Sequence, residues 1–392
     1  MMKKKIALLG NMNNIFFAIC QYLIDYGYDA ELFIFDYEAK ILHFHPSADS
    51  YDDKWEMFTH TLPWGSPMTF LRTRKKTLIN FFSEFDILIG CGNAPAFAQK
   101  AGRTLDIFAP YGADLNQIPY LEGLSARQIA RYFDIGRSQR EGIVNSKYVF
   151  SDKWPEKQEI KIEKLGLRTR SFVTIPFIYT PQYEGLKVDS GEPQIKKMLQ
   201  IKKENDLIIF HHSRHSWCNP KDKISMKGNN ILFEGVADFK KKYPKLRIAV
   251  VTFEYGNEVL KTKRLVKDLK IEDAIFWFPL CPRKEIMKMM SFADIVTGQF
   301  YRSFITYGTI IEGMAMSKPI MHRRDDMWYS KTHKELYPMI HVSSVQDVVT
   351  GLEKYFAQPE KYVKMGREAN EWMQKYVIKQ PLKKITEIIN SS

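Results

Sequence analysis

Residues 275–321 read IFWFPLCPRKEIMKMMSFADIVTGQFYRSFITYGTIIEGMAMSKPIM, and this stretch decides the fold class. Ile275 to Phe278 is a short apolar run with the length of a buried strand. The residues after it place Ile286, Met289, Met290 and Phe292 on one predicted helix face. Ala293-Asp294 then introduces a second strand at Ile295-Val296. After a polar loop, Tyr307-Gly308 opens a helix that carries Glu312 in its first turns, and Ser317-Lys318-Pro319 ends it before the next strand. Strands alternating with helices in this way predict a parallel α/β sheet. Such sheets bind ligands outside the carboxyl ends of their strands. There the N–H groups of a helix start can hold an anion, and a carboxylate can accept hydrogen bonds from ligand hydroxyls.

The same alternation extends toward the N-terminus. Lys4 to Leu9 is a strand, Gly10 to Asn14 a turn, Ile15 to Tyr26 a helix stopped near Gly27, and Ala30 to Phe35 a second strand. This Rossmann-like opening lacks GxGxxG, so it carries no dinucleotide fingerprint. Strands at Ile87 to Ile89 and Ile107 to Ala109 lead into loops rich in small residues, 90–95 and 110–114. Asp114 is the carboxylate of those loops. It can position an acceptor hydroxyl or take its proton, and it can equally cap a helix. Tyr148 to Phe150 and residues 174–176 are strand-like. Between Pro176 and Asn205 the chain turns polar and Pro/Gly-containing, which marks the connection between two domains, with a helical part expected at Ile195 to Leu199.

At 392 residues, 45% hydrophobic and 26% charged, the chain is long enough for two α/β domains with separate cores. Apolar runs fall short of a membrane span, and the apolar part of MMKKKIALLG is too short for a signal peptide. Cys20, Cys91, Cys218 and Cys281 are scattered without a CxxC pair, a usage that fits a reducing cytoplasm. His211 and His215 have an i, i+4 spacing, but they follow a strand and lack a nearby acidic partner, so no metal site is expected.

The second half of the chain resembles the donor-binding half of the GT-B glycosyltransferases, most closely the retaining group 1 or family 4 enzymes. The resemblance rests on Ala293-Asp294, on Gly308-Thr-Ile-Ile-Glu312, on Gly313-Met314-Ala315 and on Lys318-Pro319. That family carries two glutamates eight positions apart. Here the second is Glu312 and the first position is Phe304. The resemblance implies an α/β fold of two Rossmann-like domains around a cleft, 1–178 with a returning helix at 380–392, and 179–379. It implies a nucleoside diphosphate sugar as donor substrate, with no further cofactor, and transfer to a hydroxyl with retention.

Arg214, after the strand Leu207 to Phe210, and Lys227 of Lys227-Gly228 match the residues that grip the donor diphosphate. Glu312 matches the ribose-binding carboxylate, and the amides of Gly308 and Thr309 are placed to hold phosphate. Glu254, after the strand Ile248 to Phe253, either approaches the base or ribose or caps a surface helix. Asn13 offers amide contacts to acceptor or donor, or caps its helix. Residues 216–226 have the length of a lid.

A net charge of +13 calls for an anionic partner or solvated faces. No nucleic-acid recognition motif accompanies it. The cluster Arg72-Thr-Arg-Lys-Lys76 lies among Trp64, Met68, Phe70, Leu71, Leu78 and Phe81. That composition suits an anionic membrane surface, and a buried helix face with a basic outer side reads the same way. The expected partners are therefore a nucleotide-sugar donor, a saccharide or lipid-linked acceptor and an anionic membrane surface. The expected location is the cytoplasm, peripheral to the inner face of the membrane, in surface polysaccharide or glycolipid synthesis. A nucleotide-sugar epimerase and a non-catalytic nucleotide-binding scaffold are the alternatives on the same fold.

Overall fold

The computed structural model describes residues 3–121, 123, 125–151, 153–154, 156–175, 178–219 and 226–392. The chain divides into two compact units, 1–182 with 375–392, and 183–374. Among the described residues, the first unit holds a seven-stranded parallel sheet. Its strands are β1 (Lys5–Leu9), β2 (Asp29–Phe35), β3 (Thr59–Leu62), β4 (Ile87–Gly90), β5 (Ile107–Phe108), β6 (Tyr148–Phe150) and β7 (Arg170–Ser171), in the order β3-β2-β1-β4-β5-β6-β7. The second unit holds six parallel strands: β8 (Leu207–His211), β9 (Ile248–Phe253), β10 (Ile275–Phe278), β11 (Ile295–Thr297), β12 (Ile320–His322) and β13 (Ile340–His341). Their order is β10-β9-β8-β11-β12-β13.

Helices cover both faces of each sheet, so the central strands are apolar over most of their length. Ile6 to Leu9 and Leu207 to Phe210 have no exposed surface. Burying each such side chain contributes about 1.5–3 kcal/mol. A repeated device sets the strand starts. Asp86, Asp106, Asp206 and Asp294 each precede a strand and accept an N–H from the start of its neighbour: Lys5 (2.9 Å), Leu88 (2.8 Å), Arg247 (2.9 Å) and Ile208 (2.8 Å). The Ala293-Asp294 pair of the sequence is one instance of this register pin.

Three expectations change in detail. The last strand of the first sheet is Arg170–Ser171; Thr174 and Ile175 are not in a strand, and Pro176 lies outside the described residues. A two-residue edge strand with a charged member carries no apolar signal. Much of the polar stretch after Pro176 is the Pro193–Glu204 helix of the second unit, with Ile195, Met198 and Ile201 buried. Finally, the Arg283–Met290 helix buries Arg283, Met287, Met289 and Met290, whereas Ile286 and Phe292 are half-buried.

The Gln380–Ser391 helix belongs to the first unit, where Lys4 Nζ donates to the carbonyl of Ile389 (2.8 Å) and Tyr28 Oη to Asn390 (3.2 Å). Among the described residues no helix is long and apolar enough to cross a membrane.

Candidate functional site

In the second unit, the loops after β8 and β11 and the start of the Asn229–Lys242 helix meet at the carboxyl ends of the strands. Lys227 is tied on both sides: its N–H donates to Ser216 O (2.6 Å) and its carbonyl accepts from Phe300 N (2.7 Å). Gly228 follows at φ +73°, and a Cβ there would lie 2.9 Å from Tyr301 N, so close approach and left-handed backbone both require glycine. At Gly298 a Cβ would collide with the Tyr307 hydroxyl, which accepts the N–H of Gln299. These contacts set Gln299, which is buried, so that its Oε1 accepts from Lys227 Nζ at 2.9 Å.

The Lys227 amine is pushed down to about 8, first by burial and then by the positive charges of Arg214 and Arg302. Both guanidinium groups are therefore near enough to Lys227 for their charge to lower its basicity. The sequence reading identifies Arg214 and Lys227. Arg302 and Gln299 lie in a polar loop without periodicity and escape it.

Next to this cluster, Glu312 is buried in the Gly308–Ala315 helix. Its Oε1 accepts from Arg283 Nε (2.7 Å), and its Oε2 is 2.6 Å from His212 Nε2. Burial pushes this carboxyl up, but the Arg283 guanidinium and the His212 contact outweigh it and hold the group below its ordinary range. Glu312 is thus ionised and fixed, and each oxygen has a further lone pair to offer a hydroxyl. Phe304, at the other glutamate position of the family pattern, lies edge-on to Tyr307 with ring centroids 6.4 Å apart.

The histidines are absorbed separately. His211 pairs Nδ1 with Thr297 Oγ1 (2.6 Å) and Nε2 with Asn229 Nδ2 (2.9 Å), and His215 Nε2 is 3.1 Å from Thr252 Oγ1. Burial keeps both neutral, with His215 lowered to about 4. The segment expected as a lid begins with Trp217 and Cys218, whose N–H groups donate to Glu258. Residues 220–225 lie outside the described residues.

The remaining sequence-selected residues fall elsewhere. Glu254 is exposed and ion-paired with Lys263, and the N-cap of the helix that follows is Glu258 instead. Asp114, in the first unit, is fully buried. It accepts N–H groups from Gly92 (3.0 Å), Tyr111 (3.2 Å), Gly112 (2.8 Å) and Leu115 (3.1 Å). This geometry builds two loops; the carboxylate is neither a helix cap nor a group presented to a hydroxyl. Asn13 is half-buried at φ +52°, a backbone region that asparagine tolerates, inside the turn after β1. Around it Asn11 donates to Asn14 Oδ1 (2.7 Å) and to Phe44 O (2.7 Å), so the asparagine-rich turn is held by its own amides.

No protein-family model and no curated protein matches the sequence. Solved structures do match across essentially the whole chain. HepE from Anabaena, solved with UDP, is 14% identical with a TM-score of 0.64 over 100% of both chains. A glycosyltransferase from Rickettsia africae is 14% identical with a TM-score of 0.64, over 100% of this chain and 99% of the other. UDP-GlcNAc 2-epimerase from Neisseria meningitidis, bound to UDP-GlcNAc, is 16% identical with a TM-score of 0.58 over 100% of both chains.

The fold is GT-B. Within the GT-B second unit, Arg214, Lys227 and Arg302 form a cationic cluster, and Glu312 stands on the helix that follows β11. The amides of Gly308 and Thr309 begin that helix, where N–H groups lack intrahelical partners. Arg283 and His212 are two further functional candidates to which the sequence reading gave no role. One signal was present: Arg283, Met287 and Met290 follow i, i+4, i+7, and a charge in an apolar stripe implies a buried partner.

Proposed function

We propose that this chain is a glycosyltransferase that transfers a hexose from a nucleoside diphosphate sugar to a hydroxyl, with retention. The cluster of Arg214, Lys227 and Arg302 is the observation that carries the proposal. The charged form of Lys227 is less favoured than in an ordinary lysine, and a bound diphosphate would favour it. Arg214 and Lys227 then stabilise charge developing on the leaving diphosphate. Glu312, held by Arg283 and His212, accepts the ribose hydroxyls, while the amides of Gly308 and Thr309 receive phosphate oxygens. Uracil is the first base to test, because HepE was solved with UDP and the epimerase with UDP-GlcNAc.

The acceptor we propose is a saccharide or lipid-linked hydroxyl in surface polysaccharide or glycolipid synthesis, met at the cytoplasmic face of an anionic membrane. In the first unit, Met68 and Leu71 are 73% and 61% exposed, beside exposed Arg72, Arg74, Lys75 and Lys76. Solvated apolar side chains inside a basic rim are the composition of an interfacial anchor.

Thermal shift against UDP, GDP, ADP and CMP is the test. Saturating one diphosphate at about ten times its dissociation constant adds about 1.4 kcal/mol, and Lys227→Ala and Arg214→Ala should each abolish that shift. With the matching sugar donor, turnover in either variant should fall about a hundredfold. Near wild-type turnover in both would sink the assignment. Release of UDP without any acceptor would favour the epimerase of the same fold.

A further inference from the structure

Gln299 is the residue whose side chain meets Lys227, and its own backbone has little freedom. It follows β11, which ends at Thr297. Just past that end, Gly298 N donates to Met321 O (2.9 Å) and Gln299 O accepts from Arg323 N (3.1 Å), so pairing with β12 and the residues after it continues. The Gln299 N–H donates to the Tyr307 hydroxyl. Both backbone groups are thus occupied, and the side chain, 1% exposed, ends with Oε1 at 2.9 Å from Lys227 Nζ. Lysine has donors and no acceptor, so the amide must present its oxygen there.

A lysine ammonium is a point charge on a flexible stem, and it needs a partner to stay in one place. A carboxylate would hold it but would cancel its charge. The charges acting on this amine are those of Arg214, after β8, and Arg302, after β11. No carboxylate among the described residues pairs with it; its side-chain partner is the Gln299 carbonyl. That oxygen accepts one of the three ammonium N–H groups and favours the charged form over the neutral one. The positive charge and the other two donors stay available to a ligand.

We infer that Gln299 is a positioning residue of an anion site, aiming the Lys227 ammonium through a neutral acceptor that leaves its charge uncancelled. The inference rests on the transferase reading only for the identity of the anion as a nucleoside diphosphate.

Carbon-13 NMR of the full-length chain, labelled at the lysine Cε, tests it by following the titration of Lys227, whose resonance is assigned by its loss in Lys227→Arg. Gln299→Met keeps an unbranched side chain and removes the carbonyl. Gln299→Glu keeps the size and adds a charge. The Lys227 midpoint, about 8 in the wild type, should fall by about one pH unit in Gln299→Met and rise by about one in Gln299→Glu. Calorimetry with UDP at pH 8 should show roughly tenfold weaker binding in both variants. The first loses direction and charge, and the second ties the ammonium to a carboxylate that repels the diphosphate. A merely structural role would weaken UDP binding without moving the two midpoints apart. Midpoints that stay in place or move together, or unchanged UDP affinity in Gln299→Glu, overturn the inference. Opposite midpoint shifts in a chain whose wild type binds no UDP would uphold the positioning role and sink the diphosphate reading instead.

Discussion

Glu38 and Asp114 in the first unit, and Arg214, Lys227 and Arg302 in the second, occupy comparable places in two sheets of the same design. The two groups are treated differently. Glu38 accepts the N–H groups of Asn11 and Phe35, both at 3.0 Å, and Asp114 accepts those of four loop residues. Burial pushes both carboxyls up to about 7 against the pull of those bonds. Their hydrogen-bonding capacity is directed at backbone, and the result is fixed loops. The cations of the second unit lean on one another, and Lys227 loses basicity as a result. Carboxylates satisfied by backbone build a scaffold; the like charges of the second unit are the ones the proposed function assigns to an anionic ligand.

The contrast has one internal exception, and it offers the largest test. Glu312 is a buried carboxylate in the cationic unit, compensated by Arg283 and His212. Removing the guanidinium would leave a buried charge with a single partner, a loss of about 3–5 kcal/mol. Arg283→Ala should therefore destabilise the second unit by that amount in denaturant unfolding. Arg283→Met with Glu312→Leu should recover most of it, because neither charge remains. A loss under 1 kcal/mol for Arg283→Ala would mean that water replaces the guanidinium and that the pair does not hold Glu312 in place.

How far these features could be read from the sequence depends on whether they are periodic. Leu207–His211, Ile248–Phe253 and the Gly308–Ala315 helix were legible because long apolar runs and a clean start leave few alternatives. The edge strands Thr59–Leu62 and Arg170–Ser171 were not, since one flank faces solvent and their residues do not alternate in the usual way. Glu312 could be picked from its motif, but its partners could not. Arg283 is a polar letter inside a helix whose apolar face was read correctly at Met289 and Met290 but with Ile286 in place of Met287. Gln299 owes its position to the packing of Gly298 under the Tyr307 hydroxyl, a contact between residues that no local pattern links. Asp114 was legible as a loop carboxylate. That four N–H groups would converge on it depends on two loops from different strands.

A smaller effect sharpens the claim that Lys227 waits for an anion. Its amine titrates near 8 in the free site, whereas a bound diphosphate favours the charged form and raises that value. Binding is therefore tightest below pH 8 and weakens as pH rises through it. Affinity for UDP by calorimetry should drop roughly tenfold between pH 7 and 9, as the protonated fraction falls by about that factor. Lys227→Arg keeps its charge throughout this range and should show a flat profile. A wild-type profile equally flat would remove Lys227 from the site.

The smallest effect separates the two units by the sign of a slope. In the first unit Glu38 and Asp114 titrate at about 7 when folded and near 4 when unfolded. Between those values the folded state binds more protons, so stability falls as pH rises. His45, lowered by burial, works weakly the other way. In the second unit His211, His215 and His322 are depressed by burial, the last two to about 4 and about 3. Unfolded histidine binds protons up to about 6.5, so stability there rises with pH over the same window. Hydrogen exchange read on peptides from β1 and β9, corrected for intrinsic rates, should give opening free energies of opposite slope between pH 5 and 6.5. In Asp114→Asn the β1 slope should shrink while the β9 slope stays, because the second unit's histidines are untouched. Parallel slopes in the wild type would show that the carboxylates under the first sheet are solvated and titrate normally. The loops they hold would then owe their shape to packing alone.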